Sequence, residues 1–285
     1  NVLIMPGLQS ANISAKLLRE LGGDAVIGPM LVGMEKPVQI APMTSTASEL
    51  VTLAVLAAGG AGLGLAIAQR IAQVHGGRIE AMAAALGDEV GLAIDCGPGW
   101  LIPDAIRLAK AVEPLNLMWL EDLITGDYSP HVSAKGYREV TQATSTPIHT
   151  GEQIYLRNNF MELIEGQAVR IVGPDPMDMG GLRELKWVAE YADLHGILMA
   201  PHGVIDGVFG LAGLVHATAC MPQNYVAFEY ANAEHKWWYD IVTGLPNPIV
   251  KNSLIEVWDR PGLGVEFIKD KAVQYLPAGD EDFFE

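Results

Sequence analysis

Three acids stand where chemistry is easiest to imagine. Asp95 ends the run GLAID, Glu121 lies at the end of LMWLED, and Glu152 at the end of TPIHTGEQ. Apolar runs of this length read as buried parallel strands, and a carboxylate at such a strand end is a poor core residue unless positive charge sits beside it. Three of them point to a divalent cation held by hard oxygen donors. Taken singly, each acid is equally a helix cap or a salt-bridge partner. The acids follow one another at 26 and 31 residues, about the length of one strand, one helix and two loops, which is the repeat of a βα barrel. Strand ends in a barrel converge on one face, so the three can meet there.

The elements that would position them recur along the chain. RIEAMAAALG reads as a helix before the Asp95 strand, DAIRLAKAVEP before the Glu121 strand and GYREVTQAT before the Glu152 strand. NNFMELIEGQ then precedes VRIVGPD, ending near Asp175; GGLRELKWVAEYADLHG precedes ILMAPH, ending at His202; GLAGLVHATACM precedes YVAFEY, which carries Glu229. Six successive strand-helix units, each closing on a polar functional group, predict an α/β fold with a TIM-type (β/α) barrel. The trio Trp237, Trp238 and Tyr239 reads as packing at the barrel edge.

Composition sets outer bounds. A chain of 285 residues can bury a large core as one barrel or two smaller domains. A formal net charge of −16 repels nucleic acid and anionic membrane, so neither is expected as a partner. Two cysteines, Cys96 and Cys220, are too few for a disulfide framework and predict a reducing, cytoplasmic setting. No apolar run approaches the roughly 20 residues that span a bilayer, and NVLIMPGLQS lacks the features of a signal peptide.

Over about residues 78–285 the motifs together are similar to the enolase superfamily, in its mandelate racemase, muconate lactonizing enzyme and acid-sugar dehydratase branch. They are the Asp, Glu, Glu strand ends, GPD followed by GGL, the APH strand end, FEY, and the C-terminal IEVWDRPGLGVEF. The resemblance implies Mg²⁺ held by Asp95, Glu121 and Glu152, and removal of the proton alpha to a carboxylate through an enediolate. It implies His202 as the base or acid, Asp175 as the acceptor for its other ring nitrogen, and Glu229 as a hydrogen-bond donor to the developing charge. The expected substrate is a sugar acid or hydroxy acid, and the reaction a dehydration, or a racemisation or epimerisation, in a homo-oligomer. His149 and Gln153 flank Glu152 and are candidates to orient it; Arg157 and the loop TGDYSPHVSAKGY are candidates to touch substrate. Two positions depart from the branch pattern: no Lys-x-Lys pair precedes Asp95, and Gly97 stands where acid-sugar dehydratases often carry a histidine. A second base is therefore unassigned.

The stretch before the barrel has another character. The wording PGLQSANISAKLLRELGG, AVIGPMLVG and KPVQIAP in residues 1–58 resembles the C-terminal part of phosphate acetyltransferases, which would place Asn12, Ser14 and Lys16 near an acyl-phosphate or coenzyme A site. GGAGLGLAIAQRIAQVHGGRIE, over residues 59–79, resembles the glycine-rich box of histidine kinases. The expected organisation is an N-terminal α/β segment, 1–77, joined to a barrel domain, 78–285, in a chimeric chain. Such a barrel apparently lacks the family's N-terminal capping domain and its usual first two strands, and NVLIM and AVIGPMLVG are candidates to stand in for those strands. A fusion with acyltransferase or nucleotide-binding activity in residues 1–77, and a catalytically impaired barrel stabilised by its metal, are the alternatives.

Overall fold

The computed structural model describes residues 30–32, 38–40, 90–97, 99–124, 133–203, 207–230, 236–251 and 254–284. The expected lack of a capping domain, the 77/78 boundary, NVLIM, Asn12, Ser14, Lys16, the glycine-rich box and most of the TGDYSPHVSAKGY loop concern residues outside the described ones.

Chain order begins with β1 (Met30–Val32) and β2 (Val38–Ile40). Strand–helix alternation then sets in: β3 (Gly91–Asp95), α1 (Ile102–Ala111), β4 (Trp119–Glu121), α2 (Ala134–Ala143), β5 (Ile148–Thr150), α3 (Met161–Glu165), β6 (Ile171–Val172), α4 (Leu182–Leu194), β7 (Leu198–Met199), α5 (Gly207–Thr218) and β8 (Phe228–Tyr230). Eight strands form one sheet in the order β7-β6-β5-β4-β3-β2-β1-β8. Neighbours from β2 to β7 pair in parallel, whereas β1 runs against both β2 and β8. The ends of the sheet also meet: Met199 N donates to Asn224 O at 2.9 Å, Val226 N to Met199 O at 2.9 Å and Glu229 N to Pro201 O at 3.0 Å. The sheet is thus a ring, and the two places expected to be missing are filled by Met30–Val32, from the AVIGPMLVG run, and by Val38–Ile40.

Alternation along the strands divides the core in two. Ala93, Trp119, Ile171, Ala200 and Ala227 face one another inside the ring. The intervening Leu92, Ile94, Leu120, Ile148, Val172, Met199 and Phe228 face outward and meet the helices. The helices answer with apolar stripes, Ala105 and Ala109 on α1 and Leu185, Val188, Ala189 and Ala192 on α4, at the three- and four-residue spacing of one helix face. Among the described residues no helix is long and apolar enough to cross a membrane.

After β8 comes α6 (Lys236–Ile241), whose Trp238 is buried in the outer core while Trp237 packs on Trp238 and Tyr275. These rings are packing, as expected. Beyond them β9 (Val242–Thr243) pairs with β12 (Glu266–Phe267), β10 (Val250–Lys251) with β11 (Leu254–Ile255), and α7 (Lys269–Ala272) follows.

Candidate active site

The inward parity that carries Ala93 and Trp119 also carries the residues two further on, Asp95 and Glu121, and pairing aligns these two as register partners. Asp95 Oδ1 accepts from Gly97 N at 2.9 Å. Glu121 is fully engaged from below: Trp119 Nε1 donates to Oε2 at 2.9 Å, and His149 Nδ1 lies 3.4 Å from Oε1. His149, inward on β5, stacks on Trp119 with centroids 5.2 Å apart, and its Nε2 lies 3.0 Å from Ala200 O. Only a glycine at 173 permits this crossing, because a Cβ there would fall 2.2 Å from His149 Nε2.

Glu152 follows β5 through Gly151, whose φ of +145° suits glycine alone. Its carboxylate meets Gln153 Nε2 at 3.5 Å and His202 Nε2 at 3.2 Å. His202 is buried three residues past β7. Its Nδ1 donates to Asp175 Oδ2 at 2.6 Å, and Asp175 Oδ1 is held by Met177 N at 2.7 Å. Asp175 therefore fixes the ring, and Nε2 is left facing Glu152 and, at 3.5 Å, Glu229 Oε2 on β8. Glu152, Asp175 and Glu229 thus meet around His202, and Glu121 lies close to Glu152, whereas Asp95, aligned with Glu121 by strand register, is not among the carboxylates whose oxygens lie within 4.8 Å of one another.

One partner was not anticipated. Among the described residues, Glu121, Asp122 and Glu152 are the carboxylates whose oxygens lie within 4.8 Å of one another, a grouping that could hold a metal ion. Next-door residues on a strand normally point to opposite faces, but Asp122 has φ +46°, in the left-handed region. Thr150 Oγ1 donates to its Oδ1 at 2.5 Å, and the Tyr137 hydroxyl lies 3.0 Å from that same Thr150 oxygen. The second acid in the sequence LED is a visible signal; its backbone angle is not. Trp119, on the same face as Glu121 by strand parity, was within reach of sequence reasoning.

The charges interact strongly. Burial alone would lower His202, but Glu152, Asp175 and Glu229 outweigh it and hold the imidazole well above its ordinary value. Burial, then Glu121, Glu152 and Asp95 against His202, pushes Glu229 well above the usual carboxylate range. Burial would raise Glu121 too, yet His149, the Trp119 indole N–H and His202 hold it below that range. Burial and the charges of Asp95, Glu121 and Asp122 drive the Cys96 thiol well up, which removes it as a nucleophile. A set of buried carboxylate oxygens this close fits a hard divalent cation. Arg157 is committed elsewhere, to Glu184 at 3.3 Å and over the Trp187 ring at 5.3 Å.

Residues 54–271 match the family model "Enolase C-terminal domain-like", and residues 1–58 match "Phosphate acetyl/butaryl transferase". The chain is 33% identical over 207 residues to the D-xylonate dehydratase of Haloferax volcanii, covering 73% of this chain and 48% of that enzyme. It thus spans about half the length of the curated relatives it matches. Over 62 residues, 22% of this chain and 8% of the relative, it is 60% identical to the NADP-dependent malic enzyme of Rhizobium meliloti. Among solved structures, an enolase from Pantoea ananatis with bound D-gluconate and Mg superposes with a TM-score of 0.63 at 26% identity, covering 70% of this chain and 46% of that one. The strands β1 and β2 fall inside the stretch that matches the transferase model.

Proposed function

From the premise that this chain belongs to the enolase superfamily through its C-terminal-domain-like barrel, we propose that it abstracts the proton alpha to the carboxylate of a sugar acid and expels a β-hydroxyl as water. The observation that carries this reading is the buried Asp175–His202 pair, 2.6 Å apart, with Nε2 aimed at Glu152 and Glu229 beside the acid group. Asp95, Glu121 and Glu152 would hold Mg²⁺, with Asp122 alongside. That ion, when bound, supplies the positive charge that neutralises the enediolate.

The chain's own residues do the proton work. Asp175 accepts from Nδ1 and so aims Nε2 at the substrate C–H; Nε2 acts as base once the charge of Glu152, which holds the imidazole protonated, is taken up by a bound cation. His202 Nε2 takes the α-proton as the bonding pair of the C–H bond moves toward the carboxylate. Glu229, kept protonated by burial and its neighbours, donates to the oxygen on which charge grows. The proton on Nε2 then passes to the β-hydroxyl, which leaves as water, and the enol that remains becomes a 2-keto-3-deoxy acid. One histidine serves both steps, which accommodates the missing lysine pair.

The similarity to D-xylonate dehydratase supports a sugar acid as the substrate class. The residues 1–77 are read as an appended segment that lends two strands to the barrel 78–285, and the assembly as a homo-oligomer. Incubation of the intact chain with Mg²⁺ and a panel of aldonic and aldaric acids in deuterated water tests the proposal. Exchange of the α-proton with formation of a 2-keto-3-deoxy acid is expected; no exchange with any member of the panel would overturn it.

A further inference from the structure

Among the described residues, Ala93, Ile171, Ala200 and Ala227 form the inner cluster of the ring with one large aromatic ring, Trp119, which is 1% exposed. Gly173 leaves the further space through which His149 passes to reach Ala200 O. A tryptophan in such a place fills volume, and a Phe or Leu would do so without a polar atom to satisfy. Here the polar atom is used: no water reaches the indole N–H, and it donates to Glu121 Oε2 at 2.9 Å. The ring cannot tilt away, because His149 stacks on it at an interplanar angle of 23° and is itself held by a backbone carbonyl.

We infer that Trp119 is a positioning residue for the cation site, its indole N–H fixing the Glu121 carboxylate so that the remaining lone pairs point at Asp122 and Glu152. The inference rests on the reading above that Glu121 is a cation ligand. Glutamate has three side-chain torsions, and beneath the strand end two contacts restrain them: Trp119 on Oε2 and His149 on Oε1. Without the indole donor the carboxylate gains rotamers that do not face the other acids. Residues that orient metal ligands typically control affinity by about 10- to 100-fold.

The test is direct Mg²⁺ binding by calorimetry on the intact chain and on Trp119→Phe, which keeps an aromatic ring against His149 and deletes the donor. The expected result is Mg²⁺ binding weakened about 10-fold or more, with turnover largely recovered at saturating Mg²⁺ and little change in melting temperature in EDTA. A purely packing role would lower that melting temperature and leave Mg²⁺ affinity unmoved; affinity within twofold of wild type overturns the inference. A second measurement is independent of the variant's folding. Among the six tryptophans, ¹⁵N-indole spectra of the wild type should show one N–H signal that moves on Mg²⁺ addition and is displaced by Glu121→Gln; no such signal also overturns it. Failure of the wild type to bind Mg²⁺ removes both readings. Binding lost in Trp119→Phe with no α-proton exchange by wild type removes the proposed reaction alone.

Discussion

Replacing His202 with Asn separates two jobs the structure gives one side chain. The amide can still donate to Asp175, but it places no charge between Glu152 and Glu229, which lie 3.2 and 3.5 Å from Nε2. At an effective dielectric of about 20, the contact between the imidazolium and the Glu152 carboxylate is an attraction of roughly 5 kcal/mol before desolvation is subtracted. Removal of one partner from a buried pair costs about 3–5 kcal/mol net, and in a domain of this size each kcal/mol moves the melting point by about 2–4 °C. His202→Asn should therefore melt roughly 10 °C lower in EDTA, and by less when Mg²⁺ is present to share the charge of Glu152. Its α-proton exchange, followed by ¹H NMR in deuterated water at saturating Mg²⁺, should fall by about 10²–10⁴-fold, the usual contribution of a general base. Exchange within tenfold of wild type would remove His202 as the base. An unchanged melting point in EDTA would show that the acids do not depend on it for charge balance.

Other outcomes follow from the same geometry. Asp122→Asn keeps an acceptor for Thr150 and removes one charge from the acid group, so Mg²⁺ should bind about tenfold more weakly while the metal-free protein melts higher; calorimetry and thermal melts check both signs. Gly173→Ala forces His149 off Ala200 O and should cost about 1–3 kcal/mol in denaturant unfolding, and an unaffected stability would mean that the interior yields more easily than its packing implies. The pH dependence has a definite sign. His202 is raised above its ordinary 6.5, so its stabilisation is complete below that value and is lost as pH climbs through the raised one. Glu229 is raised above 4.5, so its ionisation also becomes a burden as pH rises. In EDTA the melting point should fall as pH rises above 6.5, and a rise there contradicts both assignments.

What could be read from the chain was whatever strand parity and spacing govern. Asp95, Glu121, Glu152, Asp175, His202 and Glu229 each stand at or just past a strand end, and a barrel brings strand ends together whatever lies between them. Asp122 escaped because its position depends on one backbone torsion, and a single left-handed residue has no periodicity to betray it. Trp119 is hidden for a different reason: apolar by type and set in an apolar run, it reads as core, though two residues before Glu121 it has to share that acid's face. The strands β1 and β2 were hard to place because each has three residues, too few for alternation to show, and because the surrounding wording resembles another family.

The antiparallel strand has a consequence for how the molecule comes to be. Met30 pairs with Tyr230, so the hydrogen bonds that seal this side of the ring join residues roughly 200 positions apart. Contacts of such long sequence separation form late, since the loop entropy of closing them comes before any gain. During synthesis β1 emerges long before its β8 partner, so the β1 edge that faces β8 waits with unpaired N–H and C=O groups. Unpaired edges invite pairing with another chain. Yield on refolding should accordingly depend on protein concentration more steeply than the native state's stability alone would require.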